Sequence, residues 1–443
     1  MTYQAIIAKI DSIKPHSNAD RLQLASVLGN TVIVGMDSRV GDIGIYFPID
    51  GQLSEEFAKA NNLISYKDEQ GNKRGGFFSE NRKVRAQKFR GEKSEGFFCS
   101  LSYLSYFLDD TNFTIGYSFD TMNGHPICNK YYTPATIREM ARQKRSGIKF
   151  ASFAAESFLK HVETNQLYRN IDLIADKSII YLTFKLHGTS ARFGNVWVER
   201  NNYNILPWYL KLATKLKLYN PKSCGYEFVN GTRNTVLDVN NKDFYESEGF
   251  RDKVASPYKD RLHEGEIIYG EIVGYTDTGK LIMPSISTKD LKDKGIEKLY
   301  GKNMTYKYGC SPDDPNNMFR FYVYRITRSD RKGNAIDLPW AQVKSRCIEL
   351  GLHTVVEAHD PIFYVNEKYG VHQFSRNELV ELVTSLKEGP DPLDHSHIRE
   401  GVVLRIEPPI GPPYWLKDKS FLFGVLEGYN KEDENYIDME EVS

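Results

Sequence analysis

The chain is 443 residues long, carries 58 basic and 58 acidic side chains, and is 13% aromatic. That length suits two or three domains with proper cores, and the balanced charge gives no global sign of a polyanion partner. Five scattered cysteines (Cys99, Cys128, Cys224, Cys310, Cys347) without CxxC spacing argue against disulfides or structural zinc, and no apolar run approaches a membrane span.

Residues 1–128 alternate short strands with turns. Ala5-Ile6-Ile7-Ala8-Lys9-Ile10 precedes the turn Pro15-His16-Ser17-Asn18-Ala19-Asp20-Arg21; residues 22–27 follow, and Gly29-Asn30 leads into Thr31-Val32-Ile33-Val34-Gly35. This punctuation predicts a small barrel, with His16 a turn histidine. Arg74-Gly75-Gly76-Phe77-Phe78, followed by Arg82, Lys83, Arg85, Lys88 and Arg90, joins basic and aromatic side chains as nucleic-acid contacts require; the other reading is a loop beside a hydrophobic strand. Residues 129–163 read as a helical connector opened by Thr133-Pro134 and broken at Ser146-Gly147. There Lys130, Arg138, Arg142, Lys144, Arg145, Lys149 and Lys160 meet only Glu139 and Glu156. A second basic run, Lys211, Lys215, Lys217 and Lys222, contains no acid. Either run could face phosphates or form a solvated helix surface.

Residues 164–430 form a second domain with helices expected at 207–218, 340–350 and 375–386. Residues 431–443, with Glu432, Asp433, Glu434, Asp438, Glu440 and Glu441, read as an acidic tail. Met1-Thr2-Tyr3-Gln4 begins no signal peptide, so a soluble, cytoplasmic protein is expected.

The chemistry concentrates in that second domain. The β-branched and aromatic strand 178–184 ends at Lys185-Leu186-His187-Gly188-Thr189-Ser190. A lysine amine is a nucleophile only when neutral, which burial or nearby cations favour. Gly188 permits a tight backbone, and Thr189 and Ser190 supply hydroxyls. Alone, the hexapeptide reads as a surface lysine before a turn. Downstream, however, Ile267–Gly274 is an apolar stretch interrupted by Glu271, Phe319–Ile326 is strongly aromatic, and Ile398-Arg399-Glu400-Gly401-Val402 plants another lone carboxylate. Trp415-Leu416-Lys417-Asp418-Lys419 places two lysines on one strand face. Together these supply groups for the ribose, base, phosphates and metal of a nucleoside triphosphate.

The ordered set resembles the covalent nucleotidyltransferase superfamily of ATP-dependent ligases and mRNA capping enzymes. His187 replaces the usual aspartate of lysine-x-aspartate-glycine and is similar to the RNA ligase branch. Gly231-Thr232-Arg233-Asn234 adds a further match. Lys417-Asp418-Lys419-Ser420-Phe421 with Leu426-Glu427-Gly428 resembles bacterial and protist RNA ligases with an OB domain in front. The Pro-His-Ser-Asn-Ala-Asp-Arg-Leu segment is similar to OB-type modules. The resemblance implies an α+β protein: an N-terminal OB-like β-barrel, then a nucleotidyltransferase domain of antiparallel sheets with flanking helices.

It also implies roles. Lys185 would take AMP from ATP, with His187 assisting and Gly188 in the nucleotide-binding set. Arg233 would engage phosphate, Glu271 the ribose, and Tyr324 the adenine, with Tyr322 as the alternative. Glu400 would coordinate Mg²⁺ or Mn²⁺, and Lys417 and Lys419 would neutralise the α-phosphate. The implied activity joins RNA 3′-hydroxyl and 5′-phosphate ends, at nicks in a duplex, by a monomeric enzyme. Glu407 and Glu427 read as structural carboxylates, and His161 receives no chemical role. Two other readings remain: a GTP-dependent capping-type guanylyltransferase, and a catalytically inactive RNA-binding relative.

Overall fold

The computed structural model describes residues 3–108, 113–145, 153–203, 206–237, 242–288, 294–366 and 373–431. Contacts divide the chain into two compact units. One comprises 1–135, 166–172 and 419–436; the other comprises 136–165, 173–418 and 437–443.

In the first unit, antiparallel strands run in the spatial order Phe97–Ser100, Ile43–Phe47, Ala5–Pro15, Leu22–Val27, Asn30–Gly35. Alternation along the first strand explains its place at the centre. Ala5 and Ile7 enter one buried cluster with Ile45, Phe47 and Phe57, whereas Ile6, Ala8 and Ile10 enter another with Val27, Val32 and Tyr46. The Thr31 N–H, on the strand at one end of this order, donates to the Glu95 carboxylate (3.1 Å), just ahead of the strand at the other end. His16 is a turn residue: its Nδ1 accepts from the Asn18 N–H (3.0 Å) and its Nε2 lies 3.2 Å from the Phe89 carbonyl. Phe78 is buried in the core, whereas Phe77 is half exposed and Arg74 pairs with Asp68 (3.0 Å).

The sequence carries the second domain to 430, but the described residues from Lys419 to Lys431 cluster with the first unit. The helix Phe421–Asn430 buries Phe423 and Leu426, and the Gly428 carbonyl accepts from the buried Lys83 amine (2.7 Å). Lys431 pairs with Asp50 (3.3 Å) and Glu427 (3.0 Å). The proposed acidic tail, 432–443, lies outside the described residues.

The connector also differs from expectation. A helix spans Pro134–Arg145, but 155–164 is not helical, and Phe153–Ala154 pairs with Glu199 and Arg200 as an added strand. Phe158 is buried beneath Arg192, whose guanidinium lies 4.3 Å from the ring centroid and donates to the Phe158 carbonyl (3.0 Å). Strand pairing, this anchor and a turn closed by the Phe158 N–H on the Ala155 carbonyl (3.0 Å) take the place of a helix here. The expected break at 146–147 falls outside the described residues.

The second unit contains two sheets. One runs Val236–Leu237, Lys222–Gly231, Thr189–Asn201, Glu266–Gly274, Phe319–Ser329, Ala335–Asp337. The other includes, in order, Tyr414–Lys419, Gly401–Glu407, Ile179–Phe184 and Ile362–Tyr364. The expected helices occur at Trp208–Lys215, Trp340–Leu350 and Arg376–Leu386; Ser375 and Glu378 form a capping box on the last. Sequence reading did not identify the helices Lys242–Ala255 and Phe421–Asn430. All five cysteines are unpaired, and no described helix is long and apolar enough to cross a membrane.

Candidate active site

Between Ile179–Phe184 in one sheet and Thr189–Asn201 in the other, the chain makes a short crossing that carries Lys185 and His187. The Lys185 N–H donates to the Gly401 carbonyl (3.0 Å), fixing the crossing to the start of a neighbouring strand. Its side chain is 17% exposed, and Nζ lies 2.7 Å from Oε1 of the fully buried Glu400. The other Glu400 oxygen is 3.6 Å from His187 Nδ1. A carboxylate this close favours the ammonium form of the lysine. The close carboxylate is a feature that the sequence reading, with its emphasis on a neutral amine, did not include.

An aromatic cluster supports the crossing. The His187 N–H donates to Tyr308 Oη (2.7 Å), and the His187 ring meets Tyr306 at a centroid distance of 4.7 Å. His397 packs against both tyrosines, at 4.8 and 4.5 Å. Burial, and secondarily Asp391, pushes the Tyr308 hydroxyl well above its ordinary pKa, so it stays protonated. Gly188 fits because the backbone runs against the neighbouring strand: a Cβ there would collide with the Ile272 carbonyl and the Glu271 side chain.

Glu271 lies across from Ser190 in the ladder, and the Ser190 hydroxyl donates to it (3.3 Å). Arg251, buried on Lys242–Ala255, donates to the Thr189 hydroxyl (2.5 Å) and the Ser190 carbonyl (3.4 Å). Burial lowers its guanidinium to about 10, against the opposing pull of Glu271. Tyr324 sits where the register between Glu266–Gly274 and Phe319–Ser329 slips by one residue, a bulge of the kind that redirects a side chain. Its hydroxyl bonds His161 Nδ1 at short range. Burial, then Glu271, pushes the Tyr324 hydroxyl far up. Burial, reinforced by Arg192 and Arg233, holds His161 well below its ordinary value and hence neutral.

One cleft in this unit is lined by Lys185, Gly188, Arg233, Glu271, Tyr324 and Lys417, together with His161 and Trp415. Glu400 and His187 meet below Lys185. Four proposed site residues are not among the lining side chains: Glu400 and His187, which lie against Lys185, and Tyr322 and Lys419. Tyr322 is buried beside His353 (5.9 Å between centroids). Lys419 bonds Glu427 (3.4 Å) and lies over Phe423. Glu407 accepts from the Trp340 N–H (2.7 Å) and Arg405 (2.9 Å), and Glu427 pairs with Lys419 and Lys431.

Sequence reasoning did not single out Arg251, Tyr306, Tyr308 or His397. The alternation Tyr306-Lys307-Tyr308 was a usable signal for the aromatic support; Arg251 offered none, because its helix was not anticipated. Among the described residues no group of three or more His, Cys, Asp or Glu is arranged to hold a metal. A cation here would combine Glu400 with phosphate oxygens and water, a ligand set suited to hard divalent ions.

In chain order the fold is an OB-fold module followed by a sheet-rich domain with flanking helices. A family model for RNA ligase matches residues 178–421, more than half of the chain, and an OB-fold domain model matches residues 4–101. The chain belongs to the RNA ligase family. Among solved structures it is similar to Naegleria gruberi RNA ligase. An apo variant aligns with TM-score 0.56 at 16% identity, covering 97% of this chain and 99% of that one. A lysine-to-alanine variant with ATP and Mn aligns with TM-score 0.56 at 15% identity, covering 96% and 99%. The complex with PPi gives TM-score 0.56 at 15% identity, covering 97% and 98%. No curated protein matches the sequence.

Proposed function

We propose that this enzyme is an ATP-dependent RNA ligase that joins a 3′-hydroxyl to a 5′-phosphate through a lysyl-AMP intermediate. The observation that carries this reading is the placement of Lys185: in a cleft lined also by Lys417, 2.7 Å from a fully buried carboxylate. ATP and Mn accompany the Naegleria relative in one of the similar structures, which supports the same nucleotide and a divalent ion here.

In the first step Lys185 Nζ parts from Glu400, gives a proton to solvent and attacks the α-phosphorus of ATP. A P–N bond forms, the bond from that phosphorus to the bridging oxygen breaks, and pyrophosphate leaves. Lys417, with Lys419 from the same strand, offsets negative charge at the α-phosphate, and Arg233 engages phosphate. His187, fixed by Tyr308 and Tyr306, assists the departing phosphates. Glu271 holds ribose hydroxyls, and Tyr324, aimed by His161, takes the adenine face. Mg²⁺ or Mn²⁺, held by Glu400 with phosphate and water oxygens, would supply further charge neutralisation.

In the second step an oxygen of the RNA 5′-phosphate attacks the AMP phosphorus. The P–N bond breaks and Lys185 regains a proton. In the third, the RNA 3′-hydroxyl attacks the activated 5′-phosphorus and AMP leaves.

The OB-fold module, assigned to residues 1–128, is proposed to contact the RNA through its basic and aromatic segment from Arg74 to Arg90. Sealing of nicked duplexes in RNA repair, by a monomer in the reducing cytoplasm, completes the reading; the unpaired cysteines support that setting. The test is incubation with labelled ATP and Mg²⁺ or Mn²⁺. A label that survives denaturation, is lost in Lys185→Ala and is not competed by GTP supports the proposal. Labelling by GTP in preference would favour a capping-type enzyme, and no label with either nucleotide would overturn the catalytic reading.

A further inference from the structure

The hairpin that begins at the cleft with Thr189 carries an unusual excursion at its far end. Asn201 and Lys222 close the ladder, and the chain between them includes the helix Trp208–Lys215. The strand Thr189–Asn201 places this excursion about 40 Å along the hairpin from the cleft-lining residues, at the usual rise per residue. None of the helix is buried. Trp208 is 77% exposed and Leu212 51%, and Leu216 and Leu218 beyond it are more open than Leu212. No acidic residue occurs between Glu199 and Glu227. Lys211, Lys215 and Lys217 make no ion pair among the described residues.

The distribution of these side chains is informative. Trp208, Lys211, Leu212 and Lys215 follow the i, i+3, i+4, i+7 spacing, so aromatic, aliphatic and cationic groups share one helix face. Around the whole helix Tyr209, Leu210 and Ala213 continue the apolar side from Trp208 and Leu212, while Lys211, Thr214 and Lys215 make the polar side, so charge decides the occupant: the stretch 200–226 holds no acid, and the polyanion on which the RNA ligase reading centres is RNA. Exposed rings bordering lysines that make no ion pair among the described residues suit bases joined by phosphates.

We propose that the helix Trp208–Lys215, with Lys217, is a second RNA-contact site that takes an unpaired, single-stranded segment of the RNA to be joined. Trp208 and Tyr209 stack on bases, and Lys211, Lys215 and Lys217 contact the backbone. This rests on the RNA ligase reading but assigns a surface apart from the adenylylation cleft, so the two can fail separately.

The test uses the full-length protein and a short fluorescent single-stranded RNA, with anisotropy read at two salt concentrations. The double variant Trp208→Ala/Tyr209→Ala should weaken binding about tenfold or more. Lys211→Glu/Lys215→Glu should weaken it comparably and flatten the salt dependence by about 0.7 per lost phosphate contact. Both variants should still form the nucleotide adduct at the unaltered rate, which also shows that they fold. RNA affinity unchanged in both variants overturns the proposal. So does retained RNA binding accompanied by altered self-association or altered binding to anionic vesicles, which would assign the helix to a protein or lipid surface. Failure of the wild-type chain to form an adduct would count against the ligase reading and leave this site standing.

Discussion

At the Lys185 end of the site, Lys185, Glu400 and His187 concentrate ionisable groups where water is scarce, with the amine 2.7 Å from one carboxylate oxygen and the imidazole 3.6 Å from the other. At the other end, His161 and Tyr324 are also withdrawn from water, but burial holds both neutral and they share a hydrogen bond. The same low-dielectric surroundings thus produce opposite outcomes, depending on whether a counter-charge is within reach. An ionic end suits phosphoryl chemistry, which must neutralise and move charge. A neutral aromatic end suits an uncharged base.

Breaking the ionic end should have the largest effect. Lys185→Ala should abolish nucleotide adduct formation and also destabilise the catalytic unit by about 3 kcal/mol, because it removes the amine nearest a buried carboxylate. Adding Glu400→Gln should restore much of that stability without restoring activity, a result read by denaturant melts of the three proteins. Next, Lys417→Ala should slow adduct formation on the order of a hundredfold or more, as expected for removing charge complementary to a transition state. Single-turnover kinetics with labelled ATP would measure it. Lys419→Ala should slow the same step if it joins Lys417, whereas a purely structural lysine would lower stability and leave the rate intact.

The support beneath the ionic end predicts a pH effect. Burial pushes the Asp391 carboxyl up to about 6. Between about pH 4 and 6 the folded state therefore binds more protons at this group than the unfolded chain, so its stabilising contribution is lost as pH rises through that window. Asp391→Asn should flatten that part of the stability profile, by at most about 3 kcal/mol. The smallest effect belongs to the neutral end. Tyr324→Phe should raise the ATP KM about fivefold, the cost of one hydrogen bond, and His161→Leu should add little to it in the double variant.

Much of this contrast was readable from the sequence. Lys185, Glu271, Tyr324 and Lys417 each stand in a strand or just past its end, where lone polar residues in apolar runs are informative, whereas Arg233, in the turn after Lys222–Gly231, was reached only through the family resemblance, which also supplied every role. Tyr322 shows where that logic fails. It is two residues from Tyr324, yet a one-residue bulge intervenes and Tyr322 ends beside His353. Register slips leave no periodic trace. His161 was visible but unassigned because nothing local announces that its partner is Tyr324, distant in sequence and adjacent only in the folded chain. The early strands of the OB-fold module were legible from period-two alternation. The return of Phe421–Asn430 to that module was not, because it depends on Lys83, Asp50 and other side chains hundreds of residues upstream.

The most direct test is to incubate the purified protein with ATP and Mg²⁺ or Mn²⁺, digest it, and map modified peptides by mass spectrometry. AMP should be found on Lys185 alone and should leave when pyrophosphate is added. AMP attached to another side chain, or none on Lys185 under conditions that support RNA joining, would contradict the account.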